Sequence, residues 1–203
     1  MFYSPPQASS LESTLTDWLN LDAQKCAILT TLQQLESTHQ GQGCFFVAAG
    51  FLRNMYWDQA HGFALSTPFT DVDVVYFDSE NTEKAQDILF ENELKAQLPS
   101  IPWSVKNQAR MHSKSGHAPY TSLRNALSNW VETATAIGVR VTTQQRLDFL
   151  APWGYQDLEN LVLRPTPFFE QNPAVFRQRI QSKKWLERWP KLKVVEPDSW
   201  AAF

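Results

Sequence analysis

Two short motifs constrain this chain most: Ala-Gly-Phe-Leu-Arg-Asn at residues 49–54 and Asp-Val-Asp-Val-Val-Tyr at residues 71–76. The second motif has the pattern of a strand, so Asp71 and Asp73 project from one face, about 6.5 Å apart along the backbone. Two neighbouring carboxylates repel each other and lose hydration, at a cost on the order of several kcal/mol per buried ion, unless a cation offsets it. Mg²⁺ or Mn²⁺ is the natural cation, because such ions bind through one or two carboxylates, waters and phosphates.

Gly50 lies between a predicted strand and a predicted helix. Residues 44–48 form a short apolar run typical of a buried strand, which breaks at Ala49-Gly50, where small residues permit close approach of the backbone. Beyond this turn, apolar residues spaced by three and four predict a helix that ends near Gly62. The amides at the start of such a helix are suited to bind a phosphate, with Arg53 as a charged partner.

The segment between the two motifs is long enough to bring them together. A helix of about twelve residues extends roughly 18 Å, and residues 63–70 can return up to about 26 Å. We therefore expect Asp71 and Asp73 to lie beside the Gly50 turn, an arrangement that holds a nucleoside triphosphate next to a divalent metal.

Together the motifs resemble the Gly-Gly-x-Val-Arg-Asp and Asp-x-Asp pair of the polymerase-β-type nucleotidyltransferase superfamily, particularly as seen in poly(A)- and CCA-adding enzymes. Ala49 stands where that pattern has its first glycine, and Asn54 where it has an acid. The chain is more closely similar to a small bacterial nucleotidyltransferase-like family, over residues 20–170. The other segments that carry this similarity are Trp57-Asp58, His61-Gly62, and residues 103–112, 130–135, 138–141 and 151–154.

The resemblance implies an α/β (α+β) nucleotidyltransferase fold, a small mixed β-sheet flanked by helices. It implies an enzyme that moves a nucleoside monophosphate from a nucleoside triphosphate to an acceptor hydroxyl and releases pyrophosphate, with Mg²⁺ or Mn²⁺ bound by Asp71 and Asp73. It names no acceptor. The nucleotide-binding residues that we expect are Gly50, Arg53 and Asn54 at the turn, and Lys106, Asn107 and Arg110 near the end of a predicted third strand.

Members of this superfamily usually supply a third carboxylate from a later strand, where it helps to deprotonate the acceptor hydroxyl. Asp148, in a strand predicted over residues 146–150, is the candidate for this catalytic role, although a surface acid is an equally good interpretation. Asn107 ends the predicted third strand where the acid is expected, but an amide cannot act as a base at neutral pH. Glu132, near the end of a helix predicted over residues 122–134, is a third candidate that better suits substrate binding or a structural hydrogen bond.

Two other functions stay open. A protein that keeps this fold but has lost the third acid would bind nucleotides as a regulatory protein without turnover. A phosphoesterase would use the same metal pair with water as the acceptor. The sequence contains no Walker A motif, no Gly-x-Gly-x-x-Gly and no His-Glu-x-x-His, which makes P-loop, dinucleotide and zinc-protease chemistries poor competitors.

Net charge bears on the class of partner. The formal charge of −3 argues against a dedicated nucleic-acid binder, because such proteins neutralise phosphates with a basic surface. Cations nevertheless crowd the C-terminal part of the chain, where we interpret them as a solvated helix face or, alternatively, as a triphosphate contact. They are Arg177, Arg179, Lys183, Lys184, Arg188, Lys191 and Lys193.

Cysteine usage and hydropathy predict a cytoplasmic protein without membrane contact. Cys26 and Cys44 form no Cys-x-x-Cys pair, so neither a disulfide framework nor a zinc site is expected. No charged leader precedes a hydrophobic segment, and the longest apolar run, residues 44–52, is far too short to span a bilayer.

The remaining patterns outline the organisation of the chain. We divide it into an N-terminal extension (residues 1–20), a nucleotidyltransferase domain (21–170) and a C-terminal helix and tail (171–203). The polar segment 108–121 is expected to form a loop and a substrate surface. Helices are predicted over residues 11–19, 22–35, 82–98 and 173–189, and strands over residues 138–141, 146–150 and 161–163.

Overall fold

The computed structural model describes residues 1–5 and 7–197. At the centre of this described part is a five-stranded sheet, which contains β1 (Phe46–Ala48), β2 (Val72–Tyr76), β3 (Trp103–Asn107), β4 (Gly138–Val141) and β5 (Leu147–Leu150). The order across the sheet is β3-β2-β1-β4-β5; β2 and β3 are parallel, and the other neighbouring strands are antiparallel. Two short strands, β6 (Val162–Leu163) and β7 (Lys193–Val194), form a separate parallel pair.

Helices flank the sheet and connect its strands. Helices α1 (Ser10–Leu21) and α2 (Ala23–Thr38) precede β1, α3 (Gly50–His61) joins β1 to β2, and α4 (Lys84–Gln97) joins β2 to β3. Between β3 and β4 lie α5 (His112–Ser115), α6 (Leu123–Ser128) and two 3₁₀ turns (Gln108–Arg110 and Thr133–Thr135), and after β5 come α7 (Gln156–Glu159), α8 (Pro167–Glu170), α9 (Pro173–Lys183) and α10 (Trp185–Arg188). Among the described residues, no helix has both the length and the apolar character needed to cross a membrane.

Capping residues set the boundaries of the main helices. Ser9 and Glu12 form a reciprocal capping box at the start of α1, in which each side chain accepts a hydrogen bond from the other residue's backbone amide. The Asp22 side chain accepts from the Lys25 amide at 3.0 Å and begins α2. Gly62, with a left-handed φ of 70°, ends α3 where the sequence predicts it.

Strand alternation gives the central sheet two different faces. Val72, Val74 and Tyr76 point into the main hydrophobic core, which also contains buried side chains from both ends of the chain, such as Leu11 and Trp189. The opposite face carries a smaller buried cluster made of Phe46, Ala48, Val75, Leu127 and Leu150. Asp73 alternates with Val72 and Val74, so it lies on this second, less covered face.

The prediction of a helix over residues 122–134 is wrong for the second half of that range. Ser122 does cap α6, but this helix ends at Ser128. The chain then runs alongside residues 164–166, where the Thr166 amide donates to the Val131 carbonyl and the Thr133 amide to the Arg164 carbonyl, each at 3.0 Å. Glu132 consequently lies in an extended segment and is fully buried.

The helix predicted over residues 173–189 is broken in two. Lys184 adopts a left-handed conformation (φ 51°, ψ 34°) between α9 and α10. The break lets the chain change direction, so that Trp185 and Trp189 enter the main core. The segment predicted as a loop over residues 108–121 also contains regular structure, the first 3₁₀ turn and α5.

Candidate active site

The turn between β1 and α3 has the conformation that the small residues permit. Ala49 has φ 53° and ψ −115°, close to the first central position of a type II′ turn, which normally requires glycine. Its amide donates to the Ile137 carbonyl at 2.9 Å and so fixes the turn to the chain just before β4. A Cβ atom on Gly50 would lie only 3.3 Å from Arg53 Nη2 and 3.4 Å from Asn54 Nδ2. Gly50 therefore allows the backbone to approach these two side chains closely.

Asp71 and Asp73 lie at the start of β2 beside this turn. Asp71 immediately precedes the strand and is exposed, while Asp73 lies within it and is half-buried. The Thr70 hydroxyl donates to Asp71 Oδ1 at 3.2 Å, and Lys106 Nζ lies 3.5 Å from Asp73 Oδ1. Asp71 forms no ion pair within residues 1–5 and 7–197, so its carboxylate faces solvent without a protein cation bound to it.

One cleft of about 370 Å³ contains both carboxylates and the glycine turn. Besides Asp71 and Asp73, four cationic side chains line this cleft, two of them from α9 and one from α10. We call it the Asp71 cleft. Its lining residues are Ala49, Gly50, Arg53, Asn54, Thr67, Pro68, Thr70, Asp71, Asp73, Arg179, Ser182, Lys183, Trp185, Arg188 and Trp189.

Arg53 is a buried cation at the floor of the Asp71 cleft. Its guanidinium carbon lies 4.9 Å from the centre of a Trp57 ring and 4.7 Å from that of Trp185, and its Nε and Nη2 donate to Asn54 Oδ1 at 3.1 and 2.8 Å. Burial lowers the pKa of Arg53 to about 10, although the nearby Glu132 carboxylate raises it. The side chain is therefore still charged at neutral pH and is held in a fixed orientation.

Arg179 links the Asp71 cleft to a fully buried carboxylate. Arg179 Nε donates to Glu132 Oε2 at 3.1 Å and lies 2.9 Å from Oε1, and the Thr135 hydroxyl donates to Oε2 at 3.0 Å. Glu132 is 0% exposed, so its charge depends on Arg179 for compensation. The pair anchors α9 to the segment before β4 and directs a guanidinium into the cleft.

Asp58 fixes two of the residues that line the cleft. Its two carboxylate oxygens accept hydrogen bonds from the Thr67 amide and hydroxyl, each at 2.7 Å, and from Trp189 Nε1 at 2.8 Å. Thr67 and Trp189 both line the cleft. This buried carboxylate therefore joins α3, the loop before β2 and the C-terminal segment at one point.

Two of the predicted nucleotide-binding residues are used elsewhere. Asn107 is fully buried; its Oδ1 accepts from the Asp78 and Ala109 amides, and its Nδ2 donates to backbone carbonyls. Arg110 pairs with the buried Asp87, and this hydrogen bond raises the pKa of Arg110. Neither side chain lines the Asp71 cleft.

The structure does not bring Asp148 to the aspartate pair. Asp148 is on β5 at the edge of the sheet, three strands from β2, which is roughly 14 Å across the sheet. It accepts from Arg140 Nε at 2.8 Å, and Arg140 also donates to Glu36 at 2.7 Å. Of the three candidates for a third carboxylate, only Glu132 approaches the cleft, and it does so through Arg179.

The carboxylates of Asp71 and Asp73 fit the hard divalent ions expected from the sequence. Within the described chain, no group of three or more His, Cys, Asp or Glu side chains is arranged to hold a metal ion. Two carboxylates on the wall of an open cleft nevertheless suit Mg²⁺, which commonly takes its other ligands from water and substrate phosphates.

Strand alternation explains why Asn107 lies outside the site, and tertiary packing decides between the two interpretations that the sequence leaves open for Arg179. In β3, Trp103 and Val105 face the core, so Asn107 faces it too, and the alternate residues Ser104 and Lys106 lie on the face of Asp73. The apolar alternation of β3 in the sequence therefore indicates that Asn107 faces the core. The contribution of Arg179 had no comparable local signal, because α9 reaches the cleft only through tertiary packing.

Known proteins share this fold. A nucleotidyltransferase family model matches residues 43–194. An NMR structure reported to reveal a CCA-adding enzyme head domain is 31% identical, with a TM-score of 0.77, and the match covers 93% of this chain and 97% of that one. The sequence has no significant match among curated proteins.

More distant structures agree in fold. A CCA-adding enzyme in complex with CTP is 12% identical with a TM-score of 0.61, and the match covers 90% of this chain. The Thermotoga maritima CCA-adding enzyme complexed with tRNA is 15% identical with a TM-score of 0.60, and the match covers 91% of this chain. This chain spans 43% of the length of each of these two proteins.

The comparisons confirm the α/β nucleotidyltransferase fold and the resemblance predicted from the two motifs. The family match includes the Gly50 turn, the aspartate pair and the cationic helix α9. The chain therefore belongs to a nucleotidyltransferase family and is an enzyme of that class.

Proposed function

We propose that this enzyme transfers a nucleoside monophosphate from a nucleoside triphosphate to an acceptor hydroxyl and that it depends on Mg²⁺ or Mn²⁺. One observation carries the proposal: Asp71 and Asp73 share a single cleft with the start of α3 and with four cationic side chains. Carboxylates that can bind a metal ion, placed next to cations that can bind phosphates, suit a metal-bound triphosphate.

The start of α3 and the cations form the phosphate side of this site. The first amides of α3 have no side-chain cap, and a helix N-terminus attracts anions. Arg53, Arg179, Lys183 and Arg188 surround the same space and would neutralise the β- and γ-phosphates. Arg53 and Arg179 are held by other protein groups, so their charges are placed before the substrate arrives.

Asp71 and Asp73 would hold the metal beside the α-phosphate. When bound, the metal supplies charge neutralisation for the phosphates and lowers the pKa of the attacking group. By fixing the position of that ion, the two carboxylates would set the position of the α-phosphate relative to the acceptor, and the rest of the catalytic effect comes from placement and charge.

The reaction has a simple balance of bonds. The acceptor oxygen forms a bond to the α-phosphorus, the bond from the α-phosphorus to the bridging oxygen breaks, and pyrophosphate leaves with that electron pair. The hydroxyl proton passes to Asp73 or to water, since neither Asp148 nor Asn107 lines the cleft.

A pair of substitutions tests this function. Asp71→Ala and Asp73→Ala should each remove metal-dependent pyrophosphate release, measured with all four nucleoside triphosphates and a mixture of hydroxyl acceptors, while circular dichroism shows an intact fold. Asp17→Ala, an exposed acid on α1, is the matched control and should keep full turnover. Full turnover in both site variants would reject the assignment.

The small number of acids in the cleft also favours a second candidate, a nucleotide-binding protein without turnover. No third acid of the described residues lines the Asp71 cleft. Calorimetry with each triphosphate, with and without Mg²⁺, separates the two candidates when it is paired with pyrophosphate detection. Binding without release of pyrophosphate supports the second candidate, and free nucleoside monophosphate as product supports a phosphoesterase instead.

A further inference from the structure

A second pocket of about 330 Å³ adjoins the Asp71 cleft along β2. Ala49, Asp73 and Arg179 line both spaces, so Asp73 stands at their common boundary. The Asp71 cleft continues from Asp73 toward Thr70, whereas the second pocket continues toward Val75. We call this second space the Trp130 pocket. Its volume is within the range of small-molecule sites.

The walls of the Trp130 pocket combine aromatic and apolar side chains with polar and charged ones. Met111, Tyr120, Trp130 and Phe169 supply much of the apolar part, and Lys106 lies beside Asp73 at the boundary with the Asp71 cleft. Flat side chains on several sides of a narrow space favour a planar ring, which can stack on them or meet them edge to face.

Hydrogen bonds hold two of these rings in place. Trp130 Nε1 donates to Gln108 Oε1 at 3.3 Å, and Gln108 Nε2 in turn donates to the Lys106 carbonyl at 3.3 Å. The Tyr120 hydroxyl is hydrogen-bonded to His117 Nδ1. The polar atoms of both rings are satisfied by protein groups, so the pocket is formed before any ligand binds.

Reaction geometry assigns the two spaces different roles. In phosphoryl transfer the attacking and leaving oxygens lie roughly in line on opposite sides of the phosphorus. The leaving pyrophosphate fits the Asp71 cleft, with its helix start and cations. Asp73 then marks the position of the α-phosphorus, and the attacking hydroxyl must come from the side of Val75, about 6.6 Å further along β2.

We infer that the Trp130 pocket binds the acceptor, and that this acceptor is a small molecule with a planar aromatic or heteroaromatic ring that carries a hydroxyl group. The inference rests on the proposed function, and it specifies the class of acceptor that the proposed function leaves open. The hydroxyl would reach Asp73 at the boundary while the ring lies among Tyr120, Trp130 and Phe169. Lys106, Lys114 and Arg179 also line this pocket, so transfer to a nucleic-acid acceptor is one of the outcomes that the test must distinguish.

The test uses the full chain, Mg²⁺ and the α,β-methylene analogues of ATP and CTP, which cannot transfer their α-phosphate. Pyridoxine and 4-hydroxybenzyl alcohol serve as planar hydroxyl probes, and glycerol is the non-planar control. Binding of the probes is measured by ligand-observed NMR, with and without a saturating analogue, and binding of the analogues by calorimetry.

Two variants change the pocket in opposite ways. Trp130→Ala removes a wall, and Ser115→Trp fills the mouth from an exposed position without removing a core contact. Each should weaken probe binding by about tenfold or more, equivalent to about 1.4 kcal/mol, and should change analogue affinity by less than about threefold. Trp153→Ala is the matched control, because Trp153 is 42% exposed and lines neither space.

The outcomes separate this inference from the proposed function. The acceptor site is supported if planar probes bind together with the analogue and if this probe binding is lost in both pocket variants. Competition between probe and analogue, or loss of analogue affinity in the pocket variants, overturns it and assigns the pocket to the nucleobase. Analogue binding with no probe binding, or transfer to an RNA oligonucleotide alone, also overturns it. If the wild-type protein does not bind either analogue, the proposed function fails first and the acceptor role fails with it.

Discussion

Ala49 offers a quantitative test of strain at the site. Its φ of 53° and ψ of −115° belong to a region that glycine adopts freely and alanine does not. Non-glycine residues in such conformations cost on the order of 1–3 kcal/mol and concentrate at functional sites. Replacing Ala49 with glycine should remove this cost while the turn keeps its shape.

The neighbouring Ala48 supplies the reference for the calculation. Both alanines are buried, at 1% exposed for Ala48 and 6% for Ala49, and each substitution by glycine removes one methyl group. That loss costs about 0.8 kcal/mol, and the greater freedom of glycine in the unfolded chain costs about 0.4–1 kcal/mol. Ala48→Gly should therefore destabilise the protein by about 1–2 kcal/mol. Ala49→Gly has the same costs but gains about 1–3 kcal/mol from relief of strain, so it should be more stable than Ala48→Gly by about 2 kcal/mol.

Urea unfolding of both variants measures the difference in free energy, and thermal unfolding measures the difference in Tm. For a chain of this size, about 2 kcal/mol corresponds to a gap of about 4–8 °C in Tm. The comparison holds only if both variants have the wild-type m-value, which excludes a change in the denatured state. If Ala49→Gly loses as much stability as Ala48→Gly, the turn carries no strain and the reasoning fails.

Other residues around the Asp71 cleft give further predictions. Glu132→Gln should raise KM for the triphosphate about tenfold with little change in kcat, because Arg179 loses its fixed position; an unchanged KM in steady-state kinetics would contradict this. Asp148→Ala should keep more than about half of the wild-type kcat/KM, because a residue three strands from β2, roughly 14 Å across the sheet, cannot take the proton of the acceptor hydroxyl; a loss of about 100-fold would support Asp148 as the catalytic base. Asp58→Asn should lower the free energy of unfolding by about 2 kcal/mol, because the amide NH2 group would replace one carboxylate oxygen and face a buried hydrogen-bond donor. An effect below about 0.5 kcal/mol would refute the role of Asp58 in joining these segments.

The local parts of the site were predictable from the sequence. The small-residue turn at Gly50, the helix after it and the strand with Asp71 and Asp73 all have short-range signals, namely an apolar run, a helical spacing and a strand alternation. The return of the chain after α3 followed from its length alone. These signals also predict α1 to α4 and β1 to β6, with errors of a few residues at their ends, but not the short helices or the break between α9 and α10.

The longer-range parts were not predictable in the same way. The prediction that Asn107 binds nucleotide conflicts with the alternation of β3, which places this residue with Trp103 and Val105 in the core. Glu132 and Arg179 are 47 residues apart, and their pairing depends on where α9 packs after the break before α10. Sequence patterns indicate the cationic character of this segment but not the direction in which it points.

The central claim is that Asp71 and Asp73 hold a divalent metal next to a triphosphate bound at the start of α3. A crystal structure of the protein with Mn²⁺ and α,β-methylene ATP tests it most directly, because the anomalous signal of manganese locates the ion independently of the phosphates. We expect Mn²⁺ within about 2.2 Å of carboxylate oxygens from both aspartates, and the β- and γ-phosphates beside Gly50 and Arg179. Manganese at any other site, or a triphosphate bound away from the Gly50 turn, would contradict the account.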